Sequence, residues 1–171
     1  MLPILLGDKM GTAIYCYIVN QFYLDYPHLK NILDEFDESK HNVRTHLCLN
    51  LKYNNCNVLV PLRKKLGEPV RVFGRIGFSV PSQSKPNAGL DYRYTMIINN
   101  PKYFRYDIPR ITNKQQLIIN ENYNIIQKQV IEYIDSYVKV ANKDRVDKTA
   151  RFRVSSLINF NSELNVRLKT P

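Results

Sequence analysis

Between Thr45 and Lys52 apolar and polar positions alternate, with His46, Cys48 and Asn50 on one side and Leu47, Leu49 and Leu51 on the other. A period of two is the signature of a strand. Tyr53-Asn54-Asn55 supplies turn residues, and Asn57-Val58-Leu59-Val60 returns as the second strand of a hairpin. Pro61, lacking an N–H, is expected to end that ladder. Upstream, Ile14 to Val19 reads as a strand. Asn20 is placed to cap a helix from Gln21 to about Phe36, with Phe22, Leu29, Ile32, Leu33 and Phe36 on its apolar side. Pro27 kinks or divides that helix, and Asp34 to Glu38 form an acidic loop. Residues 63 to 90, rich in glycine and proline, read as a long irregular excursion. Tyr92 to Ile98 reads as a strand and Asn99-Asn100-Pro101 as a turn. From Asn120 or Asn122 a helix runs with Tyr123, Ile126, Val130, Tyr133, Ile134, Tyr137 and Val138 at spacings of three and four, so one face is core. After a charged connector, Lys143 to Arg151, the segment Phe152 to Leu164 suits a short amphipathic helix. The order predicts an α+β fold, a compact antiparallel sheet with flanking helices. Residues 14–171 are expected to form one domain, and residues 1–13 a poorly ordered extension.

Charge narrows the partner. Lys and Arg number 25 against 15 Asp and Glu, a net +10, with a pI near 9.5. Such an excess draws polyanions, which favours nucleic acid over a membrane surface or an acidic protein. Of the chain, 44% is apolar and 23% charged, the composition of a globular protein. No run is long enough for a membrane span, and the opening Met1 to Lys9, broken by Pro3, lacks the basic start of a signal peptide. Cys16, Cys48 and Cys56 show no CxxC spacing, so a reducing, cytoplasmic setting is expected, with the thiols as small core residues.

Candidate chemistry follows from what is missing. There is no HExxH, Walker loop, GxSxG or acidic metal loop, and carboxylates do not cluster in the β region. No metal and no cofactor is therefore expected. RNA permits cleavage without a metal, because its 2′-OH is the nucleophile. The protein must then move protons and support charge on the phosphorane. A basic cluster is available: Arg44 and His46 start one hairpin strand, and Arg63, Lys64 and Lys65 follow the end of its partner, so both groups fall at the open end of the hairpin. Arg63 or Lys64 would stabilise the transition state. His46 suits proton transfer near neutral pH, or is a strand histidine hydrogen-bonded on the surface. Arg44 and Lys65 would hold flanking phosphates. Asp91 would orient a basic residue in a surface shared with Tyr92 and Arg93, or is a turn residue. Tyr92, Tyr94, Tyr103 and Phe104 offer faces for unpaired bases, or pack the core. Ser155, Ser156, Asn159 and Asn161 would bond RNA or fix the last helix.

Three segments in matching order carry a family resemblance: Val58-Leu59-Val60-Pro61-Leu62-Arg63, Gly89-Leu90-Asp91-Tyr92, and Arg153-Val154-Ser155-Ser156-Leu157-Ile158-Asn159-Phe160-Asn161-Ser162-Glu163-Leu164. They resemble the TenpN-type toxins of type III toxin–antitoxin systems, relatives of ToxN and of the abortive-infection protein AbiQ. The resemblance runs from about Ile14 to Leu164, and its closing segment is the most specific part. It implies a ToxN-like α+β endoribonuclease of phage defence that cuts single-stranded RNA without a metal and leaves 2′,3′-cyclic phosphate. It further implies inhibition by a small repeat-containing RNA antitoxin, with which the toxin forms a ring-like assembly. In that family the catalytic polar and basic residues directly follow the Pro-Leu, here at Arg63, Lys64 and Lys65. The chain departs from the pattern at Lys64, where a Ser or Thr is expected. That departure keeps a second reading open, a non-catalytic RNA-binding protein derived from such a toxin.

Overall fold

The alternating stretches become neighbouring strands of a mixed-length antiparallel sheet. The computed structural model describes residues 13–41, 43–50, 53, 55–66 and 75–167. The chain begins with β1 (Ile14–Ile18), α1 (Asn20–Asp25) and the hairpin strands β2 (His46–Asn50) and β3 (Asn57–Arg63). It continues through β4 (Gly77–Ser79), β5 (Gly89–Asp91), β6 (Met96–Ile97) and β7 (Phe104–Tyr106). Three helices follow: α2 (Asn113–Glu121), α3 (Tyr123–Ala141) and the single turn α4 (Ala150–Arg153). The strand order is β4-β5-β3-β2-β1-β7, with β6 also paired to β3. Every pairing is antiparallel. The expected α+β architecture is present; residues 1–12 of the expected N-terminal extension lie outside the described residues, and Ala13 is buried.

The hairpin register pairs Leu47 with Val60 and His46 with Pro61. Pro61 does not end the strand. Leu62 N–H donates to Thr45 O at 3.0 Å, so by alternation the Pro61 nitrogen faces away from β2. On that other side β3 pairs with β6 at Val58 and Leu59 and with β5 at Leu62 and Arg63. Proline therefore occupies the gap between two partners, where no donor is needed.

The segment expected to be irregular contains β4 and β5. They approach closely because Gly77 and Gly89 face them: a Cβ on Gly89 would lie 2.6 Å from Phe78 O and 2.9 Å from Leu66 Cδ2. Leu66 is buried over this pair and its N–H donates to Asn87 O at 2.8 Å. The stretch Arg63 to Leu66 is thus fixed at both ends. Two other expectations are corrected. The first helix stops at Asp25, because Tyr26 precedes Pro27 and a residue before proline is pushed out of the helical region. Asn20 is its first residue, not its cap. Tyr92 to Ile98 is not one strand: Asp91 accepts from Arg93 N–H and starts a 3-10 turn over Tyr92–Tyr94, leaving β6 only two residues.

The core lies between the sheet and α3, whose Ile126, Val130, Tyr133, Ile134 and Tyr137 are all fully buried. The closing segment packs on them as α4 and a 3-10 turn over Ser156–Phe160 rather than as one helix. Its polar residues hold the fold. Ser155 accepts from Leu157 N–H, Ser156 donates to Thr95 O, Asn159 exchanges hydrogen bonds with the Lys30 backbone, and Asn161 accepts from Tyr137 OH. Cys16, Cys48 and Cys56 are buried and not joined in disulfides. Among the described residues no helix is long and apolar enough to cross a membrane.

Candidate functional site

Where the β2–β3 hairpin opens, the chain leaves a cleft of about 440 Å³. Among the described residues seven cations line it, Lys40, Arg44, Arg63, Lys64, Lys65, Lys85 and Arg110, and no carboxylate does. Val43, Leu62, Ala88 and Ile111 form its apolar floor, and Thr45 and Gln115 add polar groups. Three of the cations are held by acids outside the lining. Asp34 grips Arg44 with both oxygens, one bond to Nη2 at 2.8 Å and the other to Nε, while Arg44 Nη1 donates to Leu62 O at 3.3 Å. Arg63 Nη1 lies 2.9 Å from Asp91, and Lys40 Nζ lies 2.8 Å from exposed Asp37. Lys64, Lys65, Lys85 and Arg110 have no ion-pair partner among the described residues.

Arg63 is anchored from beneath by a buried acid. Asp91 is fully buried beneath it and also takes two hydrogen bonds from the Arg93 guanidinium, at 2.9 and 2.7 Å. Both guanidinium groups flank the Tyr94 ring, at 4.9 Å for Arg63 and 5.5 Å for Arg93. Such a fork is held in plane and keeps its remaining donors directed outward. Buried Thr45 immediately precedes β2, and its hydroxyl oxygen accepts from Arg110 N–H at 3.2 Å. The Tyr17 proton goes to Ile108 O at 2.8 Å, so Thr45 is the donor in its 3.4 Å contact with Tyr17 OH and helps fix Arg110 at the cleft wall. Gln115 is buried, donating to Val80 O and closing a capping box with Thr112.

Of the residues singled out from sequence, the structure brings Arg44, Arg63, Lys64 and Lys65 together. It does not bring His46 with them. His46 is 3% exposed, its ring N–H donates to Arg44 O at 2.9 Å, and it is absent from the cleft lining. Burial pushes its pKa down to about 4. Asp91 and Arg93 stand behind Arg63 as its support. Tyr92 is fully buried and its OH donates to Gln129 at 2.8 Å, and burial raises its pKa. Tyr103 and Phe104 are likewise core. Lys40, Thr45, Lys85 and Arg110 were not singled out. Thr45 opens the alternating stretch, whereas Lys40, Lys85 and Arg110 lie in segments without periodicity and only tertiary packing delivers them to the cleft.

The buried His46 makes stability depend on pH in a stated direction. Its folded pKa of about 4 lies below the ordinary 6.5, so the unfolded chain binds the extra proton between those values. Stability is full above about pH 6.5 and falls as pH drops toward 4, by at most about 3 kcal/mol from this group. A His46→Gln variant should show a flatter decline in urea midpoint between pH 7 and pH 4. An unchanged slope would assign the loss to other groups.

Among the described residues no group of three or more His, Cys, Asp or Glu is placed to hold a metal ion. No known family profile matches the chain, and no curated protein does. The fold does match a solved one. Its class is that of a compact antiparallel sheet with flanking helices, seen in a structure reported for bacterial type III toxin–antitoxin systems and selective toxin inhibition by a non-coding RNA pseudoknot. The two align with a TM-score of 0.57 at 14% identity, over 72% of this chain and 78% of that one. The architecture is ToxN-like, as the sequence led us to expect.

Proposed function

We propose that this chain is the toxin of a type III toxin–antitoxin system, a cytoplasmic endoribonuclease that cuts single-stranded RNA and is held inactive by a small RNA antitoxin. The observation that carries this reading is the cleft at the open hairpin, lined among the described residues by seven cations and no carboxylate. The fold likeness supports it. A lining of this kind takes phosphates, and its chemistry is that of fixed positive charge rather than of a carboxylate-held metal.

In the proposed reaction a ribose 2′-OH attacks its own 3′-phosphorus and the bond to the next 5′-oxygen breaks. The products are a 2′,3′-cyclic phosphate and a 5′-hydroxyl end. Arg63, braced by Asp91, faces the phosphorane oxygens. Lys64 adds positive charge and protonates the leaving oxygen, while the 2′-OH proton passes to water. Lys65, Lys85 and Arg110 hold the neighbouring phosphates. The antitoxin, an RNA with the same phosphates, would occupy the same cleft, and a ring-like assembly of toxins and RNA units follows the resemblance.

The test is incubation of the purified chain with long single-stranded RNA in excess EDTA, followed by analysis of the ends. Discrete fragments with 2′,3′-cyclic phosphate and 5′-hydroxyl termini are the expected result. RNA that is bound but left intact would favour the non-catalytic reading, in which Lys64 has replaced the needed hydroxyl. RNA neither bound nor cut would overturn both.

A further inference from the structure

Phe36 is 92% exposed, the most exposed large apolar side chain of those described. Its loop is nonetheless tied down on either side. Asp37 N–H donates to Asp34 O at 3.0 Å and Lys40 N–H to Asp37 O at 2.9 Å. His41 sets one ring nitrogen 2.6 Å from Asp34 O and stacks on Tyr23 at 3.7 Å with the planes 5° apart. An aromatic ring on a braced loop, touching little of its own protein, leaves apolar surface in water that a partner can cover.

The loop belongs to the cleft. Asp34, two residues before Phe36, clamps Arg44, and Lys40, four residues after it, lines the cleft wall. Two residues of chain span at most roughly 7 Å, so the Phe36 backbone lies within that reach of the Asp34 clamp on Arg44, a cleft-lining residue. The residues around it settle which part of a polyanion it meets. Glu35, Asp37 and Glu38 flank Phe36 and repel phosphate, whereas the cations beside them attract it. The same acids disfavour an anionic membrane surface. A group that is flat, uncharged and attached to a phosphate chain satisfies both halves. We infer that Phe36 is a stacking platform for an unpaired nucleobase of an RNA strand whose phosphates lie in the cationic cleft. This rests on the RNA-binding part of the proposed function.

The protein contains no tryptophan, so a Phe36→Trp variant carries a single indole reporting on that position alone. The probes are a short 2′-O-methyl oligoadenylate, which lacks the attacking hydroxyl, and the same backbone with abasic sugars. The oligoadenylate should quench the indole and the abasic strand should not. Phe36→Ala should weaken oligoadenylate binding by roughly five- to a hundredfold and leave abasic binding unchanged. Equal affinity of Phe36→Ala and wild type for the oligoadenylate, with Lys64→Ala still weakening it, would overturn the stacking role and leave RNA binding at the cleft standing. Parallel loss of both strands in Phe36→Ala would also overturn it, since a base-specific contact cannot weaken an abasic strand. Binding of neither strand by the wild type would overturn it together with the function it rests on.

Discussion

Lys64→Ala is expected to slow RNA cleavage about a hundredfold while leaving thermal unfolding unchanged. The size follows from the role: removing one preorganised charge aimed at a developing oxyanion costs on the order of a hundredfold or more. The separation from stability follows from the position. Lys64 is exposed, engages no ion-pair partner among the described residues, and sits between Arg63, fixed by the β3–β5 pairing, and buried Leu66. Its backbone is therefore held by its neighbours, and truncation takes away charge without packing. Single-turnover rates on a long single-stranded RNA, measured beside a melting curve, read the two effects apart. A Lys64→Ser variant in the same assay asks whether a hydroxyl at that position improves on the lysine. A loss of less than threefold in Lys64→Ala would remove this residue from the reaction and move its role to Lys65 or Arg110.

The largest effect on stability is expected at Asp91, where substitution by alanine should cost about 4 kcal/mol. The carboxylate is fully buried and takes hydrogen bonds from Arg63, from the Arg93 side chain twice and from Arg93 N–H. Its loss leaves two guanidinium groups facing each other across Tyr94, 29% and 16% exposed, with no counter-charge. Like charges in a half-dry setting repel, and hydration is too restricted to offset it. Urea unfolding of Asp91→Ala gives the cost directly; less than 1 kcal/mol would mean that both guanidinium groups swing out to water. Cleavage should fall as well, because Arg63 then loses the contact that fixes its direction. Asp91→Asn, which keeps the shape and one acceptor, should recover part of the stability.

How much of this could be read from residues alone differs by element. The hairpin was legible because alternation, a turn and Pro61 agree at Thr45 to Pro61. The face of α3 was legible because nineteen residues repeat one spacing. α2 was not seen, although Thr112-Asn113-Lys114-Gln115 carries a capping-box signature, because its short run offers no continuous apolar stripe. β7 has only three residues, below the length at which alternation means anything. In the cleft, Arg63 to Lys65 and Arg44 were legible from the hairpin geometry, as both ends of one ladder must meet. Lys85 and Arg110 were not, since Leu66 N–H to Asn87 O and Arg110 N–H to Thr45 Oγ1 place them, and such contacts leave no periodic trace. His46 was misjudged for a different reason. Alternation sorts residues into two faces, but β2 is a central strand with both faces covered, so Leu47 and Cys48 are as buried as His46.

The crowding of positive charge at the open hairpin has a consequence for what drives association. A cleft with four cations that lack ion-pair partners among the described residues gathers small anions from the surrounding solution to screen them. A nucleic-acid strand arrives with its own condensed cations. When the two meet, both clouds are released, and the gain in translational entropy of those small ions becomes part of the binding free energy. That contribution shrinks as salt rises, because freed ions then enter a medium already full of them. Tight capture in dilute buffer and ready release in concentrated salt would therefore be two readings of the same set of lysines and arginines.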